Sequence, residues 1–245
     1  MFAYVGESRE DLEMLVGSLR ASARNDTVAA RVPFKLSCHP DGWGYVVSSE
    51  AGLAYYRSDR PIYEGQPVVP ETDGRIHAIF HARKALDGTP VQKRFSHPFM
   101  EQTQSDLVFL AHNGSVDKGR LERELGFSGS AVDSELALRF ALKTRSLEEG
   151  TKELEGYTEM NGGLNLLILR VDKNGVDTEL FVKQFYRREV GKPDMTDFYQ
   201  LYYQDLPGGR AVFSSTLRDY GLSGVPVCGS DLAPLSDLDL IETVA

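Results

Sequence analysis

Five histidines, His39, His77, His81, His97 and His112, fall in one third of the 245-residue chain, each beside turn-forming or small residues in the tracts HPDGWG, HAIFHARKA, SHPF and AHNGS. Imidazoles grouped in this way raise the question of a metal. His77 and His81 stand four residues apart, a chelating spacing on a helix, but IHAIFHA reads as a strand, where that spacing separates them by about 13 Å. The expectation is therefore no metal and no cofactor. Cys38 and Cys228, the two cysteines, are too few for a zinc site or a disulfide framework. Cys38 reads most simply as a small buried hydrophobe.

Three other tracts hold side chains suited to binding or acyl chemistry. HARKA (81–85) places Arg83 just past a buried-type strand. There a guanidinium is costly unless it meets a carboxylate or stays in water, and a surface salt bridge is the ordinary reading. AHNGS (111–115) ends an apolar strand in Asn-Gly. That is either a plain β-turn or a pair of donors, the Asn113 amide and the Gly114 N–H, aimed at one developing oxyanion. Asp133 precedes an apolar helical repeat, as a helix N-cap or as a carboxylate turned toward a ligand ammonium. HPDGWG carries the only Trp between two glycines, a tight turn with an aromatic anchor.

The elements that must position these residues are mostly short strands. Runs at 2–5, 44–48, 53–58, 75–82 and 107–111 form one series; runs at 164–171, 178–186, 198–204, 210–216 and 237–244 form a second, several with period-two alternation. That number of strands fits two sheets. The clearest helix is SREDLEMLVGSLRASAR, with Leu12, Leu15, Val16 and Leu19 on one face behind the cap Ser8. A second runs over 134–145 with Asp133 at its N-cap, and weaker candidates cover 118–125 and 147–157. Strands in groups with helices between them predict an α+β layered fold rather than a parallel βαβ wind.

Composition narrows the function classes. Hydrophobic residues make up 41% and charged residues 26%, as in soluble globular proteins. No apolar run approaches the roughly 18 residues of a membrane helix, and the start MFAYVGESRED does not read as a signal peptide. The expected location is cytoplasmic. A formal charge of -9 opposes nucleic-acid binding and favours small molecules or proteins as partners. No linker, repeat or low-complexity tract divides the chain, so residues 1–245 read as one domain.

Taken together and in order, MFAYVG, HPDGWGY, HARKA, SHPF, FLAHNGSV, DSELAL and VFSSTL resemble the signature tracts of class II glutamine amidotransferases. These are N-terminal-nucleophile hydrolases, and the stand-alone amidotransferase-like subgroup is the most similar. The resemblance spans most of the chain and implies a four-layer αββα sandwich of two mainly antiparallel sheets. It implies that Arg83 holds the α-carboxylate of glutamine, that Asp133 holds its α-amino group, and that Asn113 and Gly114 form the oxyanion hole. Trp43 and Gly44 would lie near the pocket wall.

The family's nucleophile is a cysteine freed as first residue by removal of the initiator Met, its thiol attacking the carboxamide. Phe2 stands at that position, and a phenyl ring is no nucleophile. A bulky second residue also generally blocks removal of the Met. The resemblance thus implies an amidotransferase-like protein without glutaminase activity that keeps an amino-acid or amide pocket, unless Phe2 itself fills it. Two alternatives stand beside it. One is an active amidohydrolase or amidotransferase using Cys38 or an activated water. The other is a structural partner subunit, for which the acidic segment DLAPLSDLDLIETVA offers a surface, although a solvated edge strand explains it equally.

Overall fold

In the computed structural model, which describes residues 1–32, 37–85, 88–174 and 177–238, the first strand, β1 (Phe2–Gly6), is followed by helix α1 (Arg9–Arg24). Strands β2 (Trp43–Ser49), β3 (Gly52–Ser58), β4 (Ile76–Ala82), β5 (Phe99–Gln102) and β6 (Asp106–Gly114) come next. Three helices, α2 (Lys118–Leu125), α3 (Asp133–Ala141) and α4 (Leu147–Glu153), separate them from β7 (Gly162–Asp172), β8 (Thr178–Lys183) and β9 (Tyr186–Arg187). The one-turn helix α5 (Thr196–Tyr199) leads into β10 (Leu201–Leu206), β11 (Gly209–Ser214), β12 (Val225–Pro226) and β13 (Ala233–Pro234).

The strands form two sheets, ordered β12-β10-β11-β1-β4-β2-β3 and β13-β8-β7-β6-β5, with antiparallel pairing throughout. β1 lies between β11 and β4 and sets the register of the first sheet: Phe2 pairs with Phe213 and Phe80, Ala3 with Val212 and Ile79. Successive residues point to opposite faces. Phe2 and Tyr4 therefore join Phe80 and the α1 residues Leu12, Leu15 and Leu19 in one core. Met1 and Ala3 join Phe109, Leu167 and Leu169 of the second sheet in another. A third core packs Leu136, Leu138 and Phe140 of α3 on Leu110, Leu166 and Ile168.

Local chemistry accounts for the helices. Ser8 caps α1 by accepting a hydrogen bond from Asp11 N at 3.1 Å, and each fully buried Leu on its inner face contributes about 1.5–3 kcal/mol. Asp117 caps α2 through Arg120 N at 2.9 Å, and Gly126 closes the helix in the left-handed conformation.

Several sequence expectations are corrected. β5 was not foreseen, being only four residues long. The run at 178–186 keeps one register against β7 but divides after Lys183, where the Gln184 amide turns aside to bond Val227 O at 3.1 Å and Leu201 N at 2.5 Å. The run at 198–204 begins as α5 and becomes a strand only at Leu201, and residues 215–220 after β11 wind into a 3-10 turn. Asp133 is not an N-cap: Val132 holds that place and Asp133 is the first residue of α3. The proposed strand at 237–244 falls mostly outside the described residues.

Candidate functional site

The two sheets open together at one end, around a cavity of about 590 Å³. Its wall takes Met1 from the start of β1, His81 and Ala82 from the end of β4, and His112, Asn113 and Gly114 from the end of β6. Asp133 and Ser134 enter from the start of α3, Ser214 from the end of β11, and Ser215 and Thr216 from the 3-10 turn that follows it. Strand ends serve because their regular pairing is finished there while the sheet still fixes their position.

Arg83 follows β4 directly. Its backbone N–H donates to Gly42 O at 2.8 Å, and Asp41 N donates back to Arg83 O at 3.1 Å. Gly42 has φ +120, in the region that favours glycine, and a Cβ there would meet Ser58 O at 2.5 Å. The Arg83 side chain lines the cavity and the residue is only 4% exposed. Nη1 makes two long contacts, to the carbonyls of Pro90 (3.3 Å) and Asp41 (3.4 Å). Among the described residues no carboxylate reaches salt-bridge distance, which corrects the surface salt bridge expected from sequence. Burial lowers the pKa of Arg83, opposed by the charges of Asp41 and Asp133, yet a guanidinium stays cationic.

Asp133 lines the same cavity. Its Oδ2 accepts from Val116 N at 3.3 Å and its Oδ1 from the Ser134 hydroxyl at 3.4 Å, long bonds that leave capacity for a cation. Asn113 and Gly114 do not form a turn. They continue β6 opposite Asn165 and Leu164. Gly114, at φ +151, is the residue type the site demands, since a Cβ there would sit 1.8 Å from Gly163 O. The Asn113 side chain has no hydrogen-bond partner among the described residues and lines the cavity.

The residue at the cavity from β1 is Met1. Its amine donates to Ser214 Oγ at 3.2 Å, and burial depresses its pKa to about 5 against the opposing charge of Asp26. Phe2 points the other way: it is wholly buried, stacks on Phe80 at 5.1 Å, and is outside the cavity lining. The expectation that a phenyl ring at position 2 blocks the pocket is thereby overturned. Trp43 and Gly44 are also outside the lining; Trp43 begins β2 and packs on Tyr56 at 5.2 Å. Cys38 is half-buried rather than buried, and it too is outside the lining, beside Tyr63, which removes it as a nucleophile for this cavity.

Sequence reasoning missed most of the polar wall. His39, His81, His97 and His112 all line the cavity. His39 Nε2 pairs with Asp26 Oδ2 at 2.8 Å, and Asp26 Oδ1 accepts from Thr216 Oγ1 at 2.7 Å. Burial raises the pKa of Asp26, but its bonds to His39, Ala29 and Thr216 outweigh that and the carboxyl ends below its ordinary range. His112 Nδ1 meets Ser134 Oγ at 2.9 Å. Burial pulls His81 and His97 well below the ordinary imidazole range. The clustering of histidines beside turn residues was the available signal. Among the described residues no three His, Cys, Asp or Glu side chains are arranged to hold a metal.

With this geometry in view, the chain was compared with known proteins. No protein-family model and no curated protein matches it by sequence. Its fold does match a solved structure of the allosteric regulatory enzyme of purine biosynthesis, with a TM-score of 0.59 and 14% identity over 96% of this chain. That alignment spans 48% of the other chain, so this chain is about half its length. A predicted glutamine amidotransferase from Pseudomonas aeruginosa PA01 overlaps more loosely, with a TM-score of 0.37 and 16% identity over 78% of this chain and 74% of that one. The first likeness establishes a shared α+β fold of two antiparallel sheets. No helix among the described residues is long and apolar enough to cross a membrane.

Proposed function

We propose that residues 1–245 form a single class II glutamine amidotransferase-like domain, a four-layer αββα sandwich of the N-terminal-nucleophile type, that binds glutamine or a related amino-acid amide without hydrolysing it. The observation that carries this reading is Arg83, a buried guanidinium in the cavity wall with no carboxylate partner among the described residues. An uncompensated buried charge is costly, and a ligand α-carboxylate pairs it bidentately. Asp133 takes the α-amino group, and Asn113 with Gly114 faces the side-chain carbonyl. The ordered sequence tracts and the shared fold support the family reading. The lack of hydrolysis in this reading rests on the family's nucleophile position, since Phe2 is directed into the α1 core, and on Cys38 being outside the lining.

Calorimetric titration with L-glutamine tests this directly. Binding to the parent protein, lost in both Arg83→Ala and Asp133→Ala and unaccompanied by ammonia release, is the expected result. No binding to the parent would overturn the pocket, and ammonia release abolished by Asn113→Ala would overturn the lack of catalysis.

A further inference from the structure

His81 and His97 belong to neither the clamp nor the oxyanion pair. Their rings stand 4.1 Å apart between centroids, and each residue is less than a tenth exposed in the cavity wall. Among the described residues, His81 Nδ1 and both ring nitrogens of His97 have no hydrogen-bond partner. Each such buried polar atom costs about 1–3 kcal/mol, so three in one place are retained at a loss unless a polar ligand group adjusts to meet them. A neutral imidazole presents one N–H and one lone pair. A primary carboxamide presents the complement, N–H donors and a carbonyl acceptor, whereas a carboxylate presents acceptors alone.

We propose that His81 and His97 read the far end of the bound amino acid and select a primary side-chain carboxamide over a side-chain carboxylate. This rests on the reading that Arg83 and Asp133 hold the amino-acid end. The groups acting on the two rings are His39, His112, Arg83, Arg57 from β3 and the Met1 amine, none of which favours their protonation. Four carboxylates line the cavity: Asp26 bonds His39 and Thr216, Glu159 accepts from Ser115 Oγ at 3.0 Å, Asp133 faces the ligand's amino group in this reading, and Glu189 has no bond to either ring. A ligand carboxylate entering here must bring a proton onto an imidazole, while a carboxamide need not.

The signature is proton linkage, read by titrating L-glutamine and L-glutamate between pH 6 and 8 in two buffers of different ionisation enthalpy. Glutamine binding should be independent of pH and take up no proton. Glutamate binding should take up close to one proton and weaken about tenfold per pH unit as pH rises. His97→Gln, which keeps a donor and an acceptor but does not titrate, should abolish the uptake and narrow the preference while binding stays dependent on Arg83. Equal, pH-independent binding of both ligands to the parent protein overturns the role of the histidines and leaves the clamp standing. Absence of any Arg83-dependent binding overturns both.

Discussion

Two buried cations occupy opposite situations in this molecule. Lys183, at the end of β8, has a fully buried side chain, and its Nζ is satisfied by Glu155 Oε1 at 2.7 Å and Ser230 O at 2.5 Å. It ties the segment before β13 to the turn after α4. Arg83 is nearly as buried but among the described residues its side chain has only two long carbonyl contacts. Burial lowers both pKa values, yet Glu155 opposes it through a direct bond at Lys183, whereas at Arg83 Asp41 and Asp133 oppose it only at a distance. The first is a completed structural ion pair. The second has no carboxylate partner among the described residues, and that is the physical case for a ligand.

That comparison is most exposed to failure at Lys183. Replacing it with Met keeps the volume but leaves Glu155 with only the exposed Lys152 at 3.3 Å, and should cost about 2–3 kcal/mol in urea unfolding. A loss below about 0.5 kcal/mol would show the pair to be incidental. His81 and His97, with ring nitrogens unpartnered among the described residues, predict a pH effect of intermediate size. Because burial lowers their folded pKa below the unfolded value, unfolding takes up protons below about pH 6.5 and stability falls as pH drops through that window. His97→Gln should flatten the slope by up to about 1.4 kcal/mol per pH unit, and an unchanged slope would mean the ring titrates normally in the fold. Smallest should be the effect of Arg83→Gln on the ligand-free protein, within about 1 kcal/mol and toward greater stability, since an uncompensated charge is removed. A destabilisation equal to that at Lys183 would erase the distinction between the two cations.

Much of the scaffold was legible because it is decided locally. The Ser8 cap and the Leu12, Leu15, Leu19 stripe define α1, and the apolar runs of β1, β2, β4, β6 and β7 need no distant partner to be recognised as strands. Arg83, Asp133, Asn113 and Gly114, singled out from dispersed tracts, do meet at one cavity. The misreadings fall where distant chain segments decide the outcome. Asn113-Gly114 looks like a turn until β7 pairs with it, and the run at 178–186 is divided by a Gln184 side chain that bonds Leu201 and Val227. Trp43 looks like a pocket residue until β2 packs it on Tyr56.

The sequence by itself determined the types of most elements, the net charge of -9, and the identities of the polar residues at the strand ends. Only the tertiary structure decided which of Met1 and Phe2 meets the cavity. Alternation fixes that neighbouring residues on a strand point in opposite directions, but β1 is buried on both faces, against α1 on one side and the second sheet on the other. Its apolar run carries no polar face to orient it. The choice was made by pairing with β4 and β11, which sets Phe2 on Phe80 and leaves Met1 beside Ser214.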